Sequence, residues 1–88
     1  MMEKGTFEEI AGVEDKSIQM WLRELEEKDL AVALLGAGDD IREKIYRNMS
    51  ERAVVSLKES MNQLKDSDGK KIDETQKRLI AIMRKVLS

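Results

Sequence analysis

Apolar residues recur at every third or fourth position along almost all of this 88-residue chain, and no proline interrupts them. That spacing follows the 3.6-residue turn of an α-helix, whereas period-two alternation is scarce and β-branched runs are absent. The chain therefore reads as all-α. At this length a chain buries only about 60–65% of the surface its unfolded form exposes, so one modest core is the ceiling. The apolar residues are 41% of the total but include only Phe7, Trp21 and Tyr46 as aromatics, so that core must be mostly aliphatic.

Local signals divide the chain into about five to six short helices. Thr6-Phe7-Glu8-Glu9 has the form of a capping box, and a helix of about one to two turns should follow it, ending near Ala11-Gly12. Asp15 or Ser17 caps a second helix that carries Ile18, Trp21, Leu22 and Leu25 on one stripe and ends near Glu26. Glu27-Lys28-Asp29 opens a third helix through Leu34, which Gly36-Ala37-Gly38 stops because glycine reaches left-handed backbone angles cheaply. Asp39-Asp40 starts a fourth, with Ile41, Ile45 and Met49 on its buried face.

Ser50 caps a fifth helix running to about Lys65. Ala53, Val54, Leu57, Met61 and Leu64 face inward, and Arg52, Ser56, Glu59 and Gln63 face out. After a polar turn over residues 65–70, a long C-terminal helix from about Lys71 to Leu87 repeats Ile72, Leu79 and Val86 at sevens, with Ile82 or Met83 between. The turns between helices are short, which favours antiparallel neighbours stacked into a right-handed superhelical, armadillo-like spiral. No internal repeat or linker breaks the chain, so residues 1–88 read as a single domain.

Function is narrowed first by what is missing. Without His or Cys there is no imidazole or thiol base, nucleophile or metal ligand and no disulfide. Asp66, Asp68 and Gly69 do not make a calcium loop, because the glycine comes too early and Thr75 stands where the bidentate glutamate is needed. The paired carboxylates sit at helix starts or exposed ends, where they serve the helix dipole and solubility. No enzyme, cofactor or metal site is expected. No stretch approaches the ~20 apolar residues that span a bilayer, and no signal-peptide pattern follows Met1, so a soluble, cytosolic protein without membrane insertion is expected.

The net charge of -2 from 16 basic and 18 acidic residues hides a polarity. Residues 1–40 carry a net -7 and residues 41–88 a net +5. Such a chain can complement itself, stack head to tail, or show two faces to different partners. The basic half includes Lys70, Lys71, Lys77, Arg78, Arg84 and Lys85, but interleaved acids and the lack of stacking aromatics argue against nucleic acid. Trp21 reads as core or core rim.

The segment Asp29-Leu30-Ala31-Val32-Ala33-Leu34-Leu35-Gly36-Ala37, followed by Arg42-Glu43-Lys44-Ile45 and Asn48-Met49-Ser50-Glu51-Arg52-Ala53, resembles the C-terminal region of the FliG family of flagellar rotor proteins. That family carries "DLALALKGA", "REKI" and "NMSxRA" in this order and at this spacing. Phe7-Glu8-Glu9-Ile10, Asp15-Lys16-Ser17-Ile18-Gln19 and the helix from Gln76 to Leu87 extend the likeness over about residues 7–87. It implies an all-α superhelix at the cytoplasmic face of the flagellar basal body. There it couples torque from the cytoplasmic loop of the stator protein MotA and rotation sense from FliM, beside neighbouring FliG-type domains and with no cofactor.

The resemblance also implies a charged ridge that meets the stator. Arg52 keeps the arginine of "NMSxRA" and Glu59 the first of two acidic residues on the same helix; Lys58 is an adjacent helper. Ser60 stands at the second acidic position, Leu35 at the lysine of "LKGA", and Asp68 at a basic position. The family's "GPV" turn reads Lys65-Asp66-Ser67, and its "MFVF" hinge reads Lys4-Gly5-Thr6-Phe7. Two other readings stay open: a stand-alone FliG-like adaptor without a torque role, and a domain similar to the helical N-terminal domain of bacterial magnesium transporters.

Overall fold

A computed structural model describes residues 6–87, with side chains from Phe7 onward. The described residues form six helices and no strand: a 3-10 helix (Thr6–Gly12), then α1 (Asp15–Leu22), α2 (Glu27–Leu35), α3 (Asp39–Arg47), α4 (Glu51–Gln63) and α5 (Gly69–Leu87). The all-α expectation and the long last helix are both met. The Thr6 side chain of the proposed capping box, the remainder of the hinge segment and Met1 lie outside the described residues.

The first helix is 3-10 where an α-helix was expected. Three residues per turn align positions three apart, and this puts Phe7 and Ile10 on one side, both buried. Neither Asp15 nor Ser17 caps α1. Glu14 holds that position without a side-chain bond, and the Asp15 carboxylate turns instead to Arg47 and Asn48. α1 stops at Leu22, not near Glu26, because the N–H groups of Glu24 and Leu25 bond back to the carbonyls of Trp21 and Leu22 at 2.9 and 3.2 Å. This tight turn brings Leu25 against the core.

α2 is the centre of the fold. Leu30, Ala31, Val32, Ala33 and Leu34 are buried in succession, so the helix is apolar on every side, as a helix enclosed by others must be. It packs mainly against α4 and α5. Its C-terminal carbonyls are capped by side chains from two other helices. Gln76 Nε2 donates to Ala33 O at 2.8 Å, while Arg42 donates through Nε to Leu34 O at 2.9 Å and through Nη2 to Leu35 O at 3.4 Å. Ala33 O and Leu34 O also accept from the N–H groups of Gly36 and Ala37 at 3.2 and 3.1 Å, so these side chains add to a tightened last turn.

Gly36 follows directly, and here the expected reason for the glycine is replaced by another. Its φ is -101°, and no glycine among the described residues has a positive φ. A Cβ at Gly36 would instead lie 2.6 Å from Ile72 Cγ2 and 3.0 Å from Gln76 Nε2. The glycine is needed for the close approach of α5.

α3 starts at Asp39 as read, with Ile41 and Ile45 buried and Lys44 and Arg47 in its last turn. Met49 lies beyond its end and is only half-buried. Ser50 caps α4, its Oγ accepting from Ala53 N at 3.1 Å. Of the five residues expected inward on α4, Leu57 is fully buried and the others are partly so. α5 begins at Gly69, earlier than expected, because Asp68 Oδ1 accepts from Lys71 N at 2.8 Å and caps it. Its buried stripe is Thr75, Leu79, Ile80 and Met83, while Ile72 and Val86 sit at the margin.

Trp21 joins α1 to α5. Its side chain is fully buried, its Nε1–H donates to Leu79 O at 2.9 Å, and its ring lies 6.2 Å from that of Phe7 at a tilt of 59°. Around this core the sequence polarity folds onto itself. Arg47 pairs with Asp15 at 2.9 Å, Arg78 with Asp29 at 2.7 Å and Arg84 with Glu9 at 3.3 Å, each a base of the second half with an acid of the first.

Candidate functional site

α4 presents the surface on which the sequence places its candidate residues. One buried residue, Leu57, anchors the helix, and Glu51, Arg52, Val55, Lys58, Glu59, Asn62 and Gln63 are exposed. Arg52, Val55, Ser56 and Glu59 follow the i, i+3, i+4, i+7 spacing of a single helix face. Arg52 and Glu59 stand on that face about 10 Å apart along the axis, two turns at 1.5 Å per residue. Val55 lies between them and is 59% exposed, a high value for a branched aliphatic residue. Two shallow depressions flank it, one lined by Glu51, Arg52 and Ser56 and the other by Lys58, Asn62 and Gln63, with Val55 and Glu59 shared by both.

Neither Arg52 nor Glu59 takes part in an ion pair among the described residues. Lys58 is placed differently. Its Nζ lies 5.0 Å from the centroid of the Tyr46 ring, a cation–π contact that draws it toward α3. Tyr46 in turn directs its hydroxyl to Met61 Sδ at 3.5 Å, and burial pushes the phenol pKa upward, so the ring stays neutral.

A residue that the sequence reading assigned only to a helix start also reaches this helix. Glu27, at the beginning of α2, accepts from Ser60 Oγ at 2.6 Å through one carboxylate oxygen and from Ser56 Oγ at 2.9 Å through the other. These two hydroxyls, Ser60 first, hold the Glu27 carboxyl below the usual carboxylate range. The only signal in the sequence is the Ser56-Ser60 pair, four apart on one helix. Its meaning depends on α2 lying alongside.

A further groove of about 550 Å³ lies between α2 and the start of α5. Its charges are mixed: Lys28, Lys70, Lys71 and Arg78 stand against Asp29, Asp68 and Glu74, and Arg78 is already paired with Asp29. Among the described residues no three carboxylates gather at a point where a metal ion could be held. No described helix is long and apolar enough to cross a membrane.

The helix order, the buried α2 and the capped α3–α4 junction reproduce the elements that carried the resemblance, and the sequence model described as the FliG C-terminal domain matches residues 3–87. The chain belongs to the FliG C-terminal domain family. It is 42% identical over 80 residues to the flagellar motor switch protein FliG of Thermotoga maritima, covering 91% of this chain and 24% of that protein. To FliG of Borreliella burgdorferi it is 40% identical over 80 residues, covering 91% and 23%. The structure of full-length FliG from Aquifex aeolicus superposes with a TM-score of 0.89 at 35% identity, over 94% of this chain and 26% of that one. The chain thus spans about a quarter of the length of the FliG relatives it matches.

Of the three positions that the resemblance sets apart in charge, two serve contacts within the fold: Ser60 holds Glu27, and Asp68 caps α5. Leu35 ends α2 half-buried.

Proposed function

We propose that this chain acts as one helical unit of a flagellar motor switch, at the cytoplasmic face of the basal body, and that the outer face of α4 is its contact surface for the stator. Arg52 and Glu59 meet the cytoplasmic loop of MotA, with Lys58 as a neighbour steadied on Tyr46. The observation that carries this reading is the placing of two opposite charges, Arg52 and Glu59, on one exposed helix face with the exposed Val55 between them and no ion pair within the described residues. Unpaired charges project a field that attracts a complementary surface and fixes its register.

The energetics suit a mechanical coupling. An exposed ion pair is worth about 0.2–1 kcal/mol, so contacts between the two surfaces form and break readily. Leu57, the Ser50 cap and the packing of α4 on α2 carry a load applied at the face into the core. No step of this function calls for a cofactor or a catalytic group. Rotation sense is received from FliM, and neighbouring FliG-type domains complete the assembly. The adaptor reading leaned on an acidic front and a basic back offered to another domain. The internal pairs of Asp15, Asp29 and Glu9 use part of that polarity, and the motor reading is favoured.

The test is a calorimetric titration of the protein with the MotA cytoplasmic loop. Arg52→Glu and Glu59→Lys each weaken binding at low salt, and the difference closes as salt is raised. Unchanged affinity and salt dependence in both variants would refute the reading. The same titration with FliM checks the second partner.

A further inference from the structure

We infer that Glu27, although it belongs to α2, is part of the contact face of α4 and supplies it with a second carboxylate for a cationic side chain on the partner. The inference rests on the reading of α4 as the contact surface and adds to it a residue from another helix.

The geometry points this way for three reasons. Glu27 reaches across to Ser56 and Ser60, which lie one turn apart on α4 and bracket Glu59 along the helix axis, so its charge is held at the level of Glu59. Each carboxylate oxygen accepts one hydroxyl, and a carboxylate has about four lone-pair sites, so roughly half of its acceptor capacity still faces outward. Glu27 is also exposed, and as the first residue of α2 its negative charge is favoured by the helix dipole.

Charge complementarity names the occupant. With Glu27 included, the face runs from a cation at Arg52 to two carboxylates at Glu27 and Glu59, with Val55 as a small apolar contact between. A partner surface with a Lys or Arg opposite the two carboxylates and an acidic residue about 10 Å away opposite Arg52 satisfies all three charges. The competing explanation is a staple, in which Glu27 merely ties α2 to α4 through the two serines. Glu27→Gln separates the two, because the amide oxygen still accepts from one serine hydroxyl and the amide N–H can donate to the other, while the charge is gone.

The experiment titrates the protein with the MotA cytoplasmic loop at low and high salt, with a thermal melt of every variant. Glu27→Gln is expected to lower affinity about two- to fivefold at low salt, the size of one exposed ion pair, with little effect on the melt. Adding Ser60→Asp to Glu27→Gln returns a carboxylate to the same place from α4 itself and is expected to restore binding. If Arg52→Glu and Glu59→Lys weaken binding and Glu27→Gln does not, the role of Glu27 is overturned and the reading of α4 stands. If none of the three matters, both fail. A loss in Glu27→Gln that comes with a lowered melt and is not restored by Ser60→Asp identifies the staple and also overturns the inference.

Discussion

Trp21→Phe tests the joint between the two ends of the fold. Trp21 is fully buried, and its Nε1–H reaches the Leu79 carbonyl at 2.9 Å across a separation of 58 residues. Phenylalanine keeps a ring against Phe7 but removes the donor and part of the volume. Leu79 O remains in the α5 ladder, so no acceptor is orphaned and the hydrogen-bond loss stays near the usual net value of about 0.5–1.5 kcal/mol. A volume deficit of about 40 Å³ at about 24 cal/mol per Å³ adds about 1 kcal/mol where the site does not collapse. The sum is about 2 kcal/mol, which for a chain of this size corresponds to a fall in Tm of about 8–16 °C. Circular dichroism is the assay, since the variant lacks the only tryptophan and the helical signal remains. A melt within about 2 °C of wild type, with an unchanged urea m-value, would refute the picture of Trp21 as the link between α1 and α5.

Gly36→Ala places a Cβ 2.6 Å from Ile72 Cγ2, and overpacking of that kind costs about 1–3 kcal/mol, measurable by urea titration. Retained stability would mean that α5 moves aside freely. Asp68→Ala removes the α5 cap and should cost about 1 kcal/mol in the same assay, whereas Asp68→Asn or Asp68→Ser should recover most of it. Asp15 and Glu27 both titrate below their ordinary values, Asp15 through Asn48 and then Arg47, Glu27 through Ser60 and then Ser56. A carboxyl with a depressed folded pKa binds protons more readily when unfolded, so its contribution is present above its unfolded pKa and is lost as pH falls through the folded one. Melts taken from neutral pH down to about pH 3 should therefore decline below about pH 4–4.5, and Asp15→Asn should flatten that decline. An equal decline in the variant would separate Asp15 from it.

Those features that rest on neighbours in sequence were legible before the fold was known. Ser50 as a cap, Asp39 as a helix start and Ile45 and Leu57 as core residues all follow from hydroxyl or carboxylate placement and from 3.6-residue spacing. Features set by another helix were not. On α5, Ile72, Leu79 and Val86 make as regular a stripe as Thr75, Leu79, Ile80 and Met83, and the positions of the 3-10 helix, α1 and α2 decide that the second is buried. The end of α1 at Leu22 depends on where Leu25 must pack, and Gly36 is required by a side chain 36 positions away. The candidate site divides along the same line. Arg52 and Glu59 are on the outward face that periodicity assigns to them, while Glu27 enters only when α2 and α4 are laid side by side.

The charge polarity of the chain can now be divided by what each charge touches. Arg47–Asp15, Arg78–Asp29 and Arg84–Glu9 bring acidic first-half residues to basic second-half ones, yet all three pairs are largely exposed, where solvent screening leaves each little weight. Their effect on total stability is small beside the burial of Trp21 or Leu57. They act on register, since a slip of α3 or α5 would leave several charges facing the wrong neighbour at once. Arg52 and Glu59 serve no such purpose in the fold, and neutralising them singly should change stability by no more than about 0.5 kcal/mol. A charge that the fold can lose without cost is free to be placed for a partner, and two of them stand on one face of α4 with Glu27 drawn in beside them.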